Sequence, residues 1–278
     1  MKIAIIGASS FIGFRLFSHL KQYYEVKGTY FQHKKAQEMI YLDISQKNNV
    51  QTFIEQYKPD TILWVAGDKN LALTEKDLSY ARTINTSPII YLLESIKRLK
   101  SYYPKIIFFS TDYVFDGIKG NYRHNDIPNP QTNYGKSNEE AERLLQNQYP
   151  HSLIIRTSAV MGKGGTFFDF LLSSICSKDT LELYDDTIFT PTPISLLIEH
   201  TSALLHTSYC GILHICGSSA YTRYGFGIMI REILAKRDKK LATLVPVHST
   251  QNNQRLFFAN LSLICSLPFD NYEREIFI

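Results

Sequence analysis

Short apolar runs recur along the first half of the chain, at residues 2–6, 61–66, 105–110 and 152–157. Each is rich in Ile, Val, Leu or Phe and lacks polar alternation. Such runs predict parallel strands buried on both faces. Longer amphipathic stretches lie between them, at 10–22, 46–57 and 77–99, and a second strand is read at 26–31. A βαβα alternation of this kind predicts an α/β fold, a Rossmann-type doubly wound parallel sheet with helices on both faces. Beyond about Gly164 the alternation loosens into short helical patterns at 167–176, 194–205 and 224–236, with apolar runs such as 211–214 between them. This reads as a smaller C-terminal α+β lobe. The expected division is a dinucleotide-binding domain over 1–163 and a mainly substrate-binding lobe over 164–278, which exchange segments and share a cleft.

The polar residues that punctuate the strands carry the functional reading. Gly7 follows the first run, Ala66-Gly67 the second, Ser110-Thr111-Asp112 the third and Thr157-Ser158 the fourth. Ligands of open α/β sheets bind outside the carboxyl ends of the strands. The segment Gly7-Ala8-Ser9-Ser10-Phe11-Ile12-Gly13 joins a strand to a helix. Gly7 permits a tight turn and Gly13 a close helix–strand approach, Ser10 stands as N-cap where the middle glycine is usual, and the exposed N–H groups favour a pyrophosphate.

NAD-binding loops place an acid about 20 residues on, against the ribose 2′-hydroxyl. Here the second strand runs into Gln32-His33-Lys34-Lys35. Cations without an acid suit a 2′-phosphate, so NADP, with NADPH favoured over NADH, is the expected cofactor; a solvated basic turn is the other reading of His33, Lys34 and Lys35. Asp43 and Ile44 end a short third strand, where Asp43 either contacts adenine or caps the next helix.

Composition narrows the class without naming the chemistry. The 278 residues carry 30 Lys and Arg against 26 Asp and Glu, a net charge of +4 with no basic block. No nucleic-acid signature is present. The four cysteines, Cys176, Cys210, Cys216 and Cys265, and the eight histidines show no metal-site or redox spacing. No metal is expected. No run approaches the ~20 apolar residues of a membrane span, and no leader pattern precedes the first strand, so a cytoplasmic protein is expected.

Two further motifs bring a resemblance. Ser110-Thr111-Asp112-Tyr113-Val114-Phe115-Asp116-Gly117 and Pro130-Gln131-Thr132-Asn133-Tyr134-Gly135-Lys136-Ser137 resemble the signatures of the dTDP-4-dehydrorhamnose reductase family, within the extended short-chain dehydrogenases. Weaker likenesses follow in order at Ile155-Arg156-Thr157-Ser158, at Phe189-Thr190-Pro191-Thr192-Pro193, at Gly211-Ile212-Leu213-His214 and over 255–261. The resemblance implies an NADP-dependent oxidoreductase that reduces a 4-keto nucleotide sugar. It implies Tyr134 as general acid, Thr111 as partner of the same oxygen, Asn85 as organiser of a proton relay, and Asp112 and Tyr113 at the substrate.

Two positions depart from the family. Its Tyr-x-x-x-Lys becomes Tyr134 with Asn138, which can bond a ribose but supplies no charge to lower the tyrosine pKa. Lys136 lies on the other side of the helix. Ala159 stands where a tryptophan packs on the sugar, which leaves the sugar open. Lys163, in Gly162-Lys163-Gly164-Gly165, either reaches a ligand phosphate or is an exposed loop lysine. Because of Asn138, a non-catalytic NADP-binding subunit is the competing function, as in the resembling regulatory β subunit of methionine adenosyltransferase. A nucleotide-sugar epimerase or dehydratase is a third; Tyr113 in place of a dehydratase glutamate counts against dehydration. The oligomeric state is left open, a homodimer being one arrangement.

Overall fold

The computed structural model describes residues 1–236, 240–249 and 259–267. In chain order the elements are β1 (Lys2–Ile6), α1 (Phe11–Leu20), β2 (Glu25–Tyr30), β3 (Ile40–Tyr41), α2 (Lys47–Tyr57), β4 (Thr61–Trp64), α3 (Leu71–Thr74), α4 (Leu78–Asn85), α5 (Ser87–Arg98), β5 (Lys105–Thr111), α6 (Asn133–Gln148), β6 (Leu153–Thr157), β7 (Val160–Met161), α7 (Thr166–Ser177), β8 (Thr180–Tyr184), β9 (Ile188–Phe189), β10 (Thr192–Pro193), α8 (Ile194–Leu204), β11 (Gly211–His214), β12 (Tyr221–Thr222), α9 (Arg223–Ala235) and β13 (Thr243–Val247). A 3-10 turn, Asp112–Val114, follows β5.

Seven strands form one sheet in the order β11-β6-β5-β4-β1-β2-β3, and every pairing in it is parallel. The continuous apolar runs are explained by what covers them. In β1, Ala4 and Ile6 face a core with α2, α5 and α6, while Ile3 and Ile5 face the opposite core with α1 and α8. All four are fully buried, so a strand with two apolar faces is the only pattern that fits. A third core, around Phe168, Leu171, Phe226 and Ile230, joins α7 and α9 to β8 in the smaller lobe.

Two differences from the expected elements have clear causes. The stretch 77–99 is two helices, broken at Thr86. Pro88, in the first turn of α5, has no N–H to continue α4 and suits a helix start. Asp77 caps α4 by accepting the Ser79 N–H at 2.7 Å. The second difference is β11: it lies beyond residue 164 yet pairs with β6 from Gly211↔Leu153 to His214↔Arg156. Together with α8, it returns the later chain to the dinucleotide-binding layer. The likeness over 255–258 lies outside the described residues.

Candidate active site

The carboxyl ends of β1, β4, β5 and β6 meet at one edge of the sheet, as parallel strands must. There they enclose, with the smaller lobe, a cavity of about 320 Å³, the size of a small-molecule site. Ser10, Phe11, Ile12, Ala66, Gly67, Asn85, Thr111, Asp112, Tyr113, Tyr134, Asn138 and Ala159 all line it.

The first loop builds the floor. Ser10 caps α1 by accepting the Gly13 N–H at 3.1 Å. A Cβ on Gly13 would stand 2.2 Å from the Gly7 carbonyl oxygen, so only glycine lets α1 sit this close to β1. Gly7, Ser9 and Gly13 shape the turn from behind the cavity wall: the Gly7 N–H donates to Thr29 Oγ1 at 2.9 Å, and the Ser9 N–H to the Thr29 carbonyl at 3.3 Å. The first-turn N–H groups of a helix have no intrahelical acceptor.

The residues expected at the adenosine end lie outside the cavity. His33, Lys34 and Lys35 follow β2 and are exposed. Lys34 Nζ lies 5.7 Å from the Tyr30 ring and Lys35 Nζ 5.3 Å from the Phe14 ring. Asp43 accepts the Ser45 N–H at 3.0 Å and the Ser45 hydroxyl at 2.7 Å, closing a turn ahead of α2. Ile44 packs against the core between α2 and α5. Lys163 is exposed on its loop, and its carbonyl accepts the Arg15 guanidinium at 2.7 Å.

Tyr134 is aimed by the start of α6. Thr132 caps that helix, accepting the Gly135 N–H at 2.9 Å, and Glu75 accepts the Asn133 N–H at 2.7 Å. A Cβ on Gly135 would meet the Tyr113 carbonyl oxygen at 2.1 Å; glycine there lets α6 press onto the turn after β5. The Tyr113 and Tyr134 rings consequently meet edge-on, 5.7 Å apart, and Tyr134 and Thr111 line the same cavity. A buried knot ties the same elements together. Arg156 on β6 donates to Glu142 on α6 at 2.6 and 3.0 Å, and Ser110 on β5 donates to the same carboxylate. Arg156 and Glu142 are each 1% exposed.

The electrostatics around Tyr134 are one-sided. Burial pushes its pKa up to about 12; the Thr111 hydrogen bond lowers it, and the Asp112 and Asp68 carboxylates raise it. No cation among the described residues figures with them. Asn138 donates its Nδ2 to the Tyr134 carbonyl at 2.8 Å. Asp112 accepts the Ser158 hydroxyl at 2.6 Å and the Thr111 hydroxyl at 3.1 Å; burial raises its pKa to about 6 against those bonds and the charge of Arg223. Asn85 spends its amide on bracing. Its Oδ1 accepts the Asp68 N–H at 2.8 Å, and its Nδ2 donates to the Asp68 carbonyl and the Ser137 hydroxyl. It thereby fixes the loop after β4 against α6.

Several lining residues have no counterpart among the expected ones: Asp68, Lys69, Phe167, Thr187, Phe189 and Arg223. Asp68 and Lys69 directly follow Gly67, so the strand-end rule that picked Ala66-Gly67 extends to them. Desolvation lowers the Lys69 pKa. Arg223 carries no sequence signal, since it heads α9 in a lobe with no repeated pattern.

Comparison with known proteins relates the chain to one family. Residues 1–262 match the family described as the RmlD substrate binding domain. The chain is 36% identical over 197 residues to a dTDP-4-dehydrorhamnose reductase of Aggregatibacter actinomycetemcomitans, an alignment covering 68% of this chain and 66% of that one. It is 33% identical over 235 residues to the spore coat polysaccharide biosynthesis protein SpsK of Bacillus subtilis, covering 83% and 78%. Among solved structures, the dTDP-4-dehydrorhamnose reductase of Bacillus anthracis in complex with NADP superposes with a TM-score of 0.82 at 23% identity, over 95% of this chain and 90% of that one.

Proposed function

We propose that this chain, which belongs to the dTDP-4-dehydrorhamnose reductase family, is an NADPH-dependent reductase of a 4-keto nucleotide sugar. The observation that carries the reading is that Thr111 and Tyr134 converge in one cavity with the α1 loop. The residues fit a dinucleotide. The N-terminus of α1 lines the cavity through Phe11 and Ile12, and its free N–H groups and dipole suit a pyrophosphate. Lys34 and Lys35 at the end of β2 suit a 2′-phosphate. When bound, NADPH supplies the hydride.

The chain's own residues do the rest. Thr111 and Tyr134 orient the carbonyl oxygen, and Tyr134 gives its phenolic proton to that oxygen as charge develops on it. Burial favours the neutral phenol, the form that donates. Asn85 holds the loop after β4 in place. Asp112 and Tyr113 line the sugar's side of the site, and Ala159 leaves space there. The free cysteines among the described residues support a reducing, cytoplasmic setting. No helix among the described residues is long and apolar enough to cross a membrane.

The test is NADPH oxidation against a panel of 4-keto-6-deoxy nucleotide sugars; no turnover on any of them would remove the reading. A non-catalytic NADP-binding subunit is the second reading. The observation that favours it is Asn138, because no cation among the described residues acts on Tyr134.

A further inference from the structure

Arg223 is a half-buried cation whose side chain has no hydrogen-bond or ion-pair partner among the described residues. Its guanidinium carbon lies 4.5 Å from the Phe167 ring centre and 4.1 Å from that of Phe189. Both rings line the active-site cavity, as Arg223 itself does. Contacts of this kind attract the cation to aromatic faces, but they satisfy none of its five N–H donors, which lie in the guanidinium plane. Among the described residues, no acceptor lies within hydrogen-bonding distance of the Arg223 side chain and no carboxylate within ion-pair distance. Its backbone alone is engaged, the N–H donating to the Thr187 carbonyl at 3.2 Å. Desolvation lowers its pKa, with Tyr113 and Asp112 as the charges acting against that.

Asp112 is the nearby acid, and its oxygens are already held by Ser158 and Thr111. The carboxylate is turned toward β5 and β6 and away from direct contact with Arg223. A second unsatisfied group lies alongside. Thr187 lines the same cavity and is 4% exposed, and its hydroxyl has no partner among the described residues. Leaving a buried hydroxyl such as that of Thr187 unmatched is costly, and a guanidinium with open N–H donors on the wall of a substrate cavity suits an anionic ligand.

We propose that Arg223, with Thr187 beside it, binds an oxyanion carried by the substrate, either a phosphate or a sugar carboxylate. This rests on the nucleotide-sugar reading of the cavity. The guanidinium packs beside two aromatic rings, and an edge of two N–H groups matches two oxygens of one planar or tetrahedral anion.

Isothermal titration of the NADP-loaded protein with dTDP, dTDP-glucose, UDP-glucose and UDP-glucuronate tests this. The variants are Arg223→Met, which keeps an apolar stem beside the rings, Arg223→Lys, and Thr187→Val. Arg223→Met is expected to weaken binding by at least about tenfold, Arg223→Lys by less, and Thr187→Val by a few-fold, with NADP affinity retained. A uniform loss across all four probes assigns the anion to the phosphates. A loss confined to UDP-glucuronate assigns it to a sugar carboxylate. Unchanged affinity for all four in Arg223→Met overturns the proposal. Should that variant lose NADP affinity through misfolding, Thr187→Val decides, and unchanged affinity there overturns it as well. A wild type that binds NADP but none of the four probes would instead remove the reductase reading.

Discussion

The side-chain amide of Asn138 donates to the main-chain carbonyl of Tyr134, 2.8 Å away and one turn back on the same helix. At the position where the family's lysine would carry charge toward the tyrosine, this chain has a neutral group that folds back onto its own helix. Tyr134 is left with Asp112 and Asp68 as the charges acting on it.

The pH dependence follows from that setting. The Tyr134 pKa is raised, to about 12, so the neutral phenol needed for ketone reduction persists from neutral into alkaline solution and is lost only as pH rises through that value. Alcohol oxidation needs the tyrosinate, so its rate should climb about tenfold per pH unit across the neutral and mildly alkaline range. Asn138→Lys should move that climb to lower pH and raise turnover by about tenfold or more for each unit the pKa falls. Initial rates in both directions between pH 6 and 10 check it; an oxidation rate with a plateau near neutrality would contradict the assignment.

Tyr134→Phe removes the proton donor and little volume. Reduction should fall by about 10²–10⁴-fold, while NADPH titrates as tightly as before within a few-fold. A parallel loss of NADPH affinity would mean that the hydroxyl holds the cofactor and is not solely a proton donor to the substrate.

Lys34 and Lys35 are exposed and contact only aromatic rings, so replacing both with Ala should leave the fold intact. NADPH affinity should drop by about tenfold, equivalent to about 1.4 kcal/mol, and NADH affinity should stay constant. The loss should shrink in high salt, as expected for exposed charges. Equal effects on the two cofactors would return these residues to a solvated turn.

The Arg156–Glu142 pair tests what holds the site together. Glu142→Ala leaves a buried guanidinium uncompensated, a change that costs about 3–5 kcal/mol, and should lower the denaturant midpoint accordingly. Replacing both residues with Met should recover much of that loss. Even then turnover should stay depressed, since the Ser110 hydroxyl also loses its acceptor and α6 is less firmly set against β5.

Much of this was legible in the chain. The runs at 2–6, 105–110 and 152–157 are continuous because both faces of those strands are covered, and their polar endings mark the cavity edge. Tyr134 and Thr111, 23 positions apart, meet because Gly135 permits the close approach of α6 to Tyr113. The break at Thr86 was missed because the amphipathic pattern runs through it; only Pro88 signals it. Arg223 and Thr187 were illegible for a different reason. Their role depends on which groups lie across the cavity from them, and a lobe of short strands and irregular spacing gives no pattern from which such long-range neighbours can be inferred. Asn85, expected in a proton relay, bonds to Asp68 and Ser137 and keeps a second acceptor position on its Oδ1 among the described residues.

The placement of β11 beside β6 bears on how the protein is made. As the chain leaves the ribosome, β6 emerges beside β5 with its other edge bare, and the strand that covers it is completed only after residue 214. At synthesis rates of about 5–20 residues per second, that edge stays open for roughly 3–12 seconds. It displays Leu153, Ile154 and Ile155, an apolar β-branched edge of the kind that pairs with strangers. A nascent chain stalled between β6 and β11 is therefore the stage at which this protein is most exposed to aggregation and most dependent on chaperones.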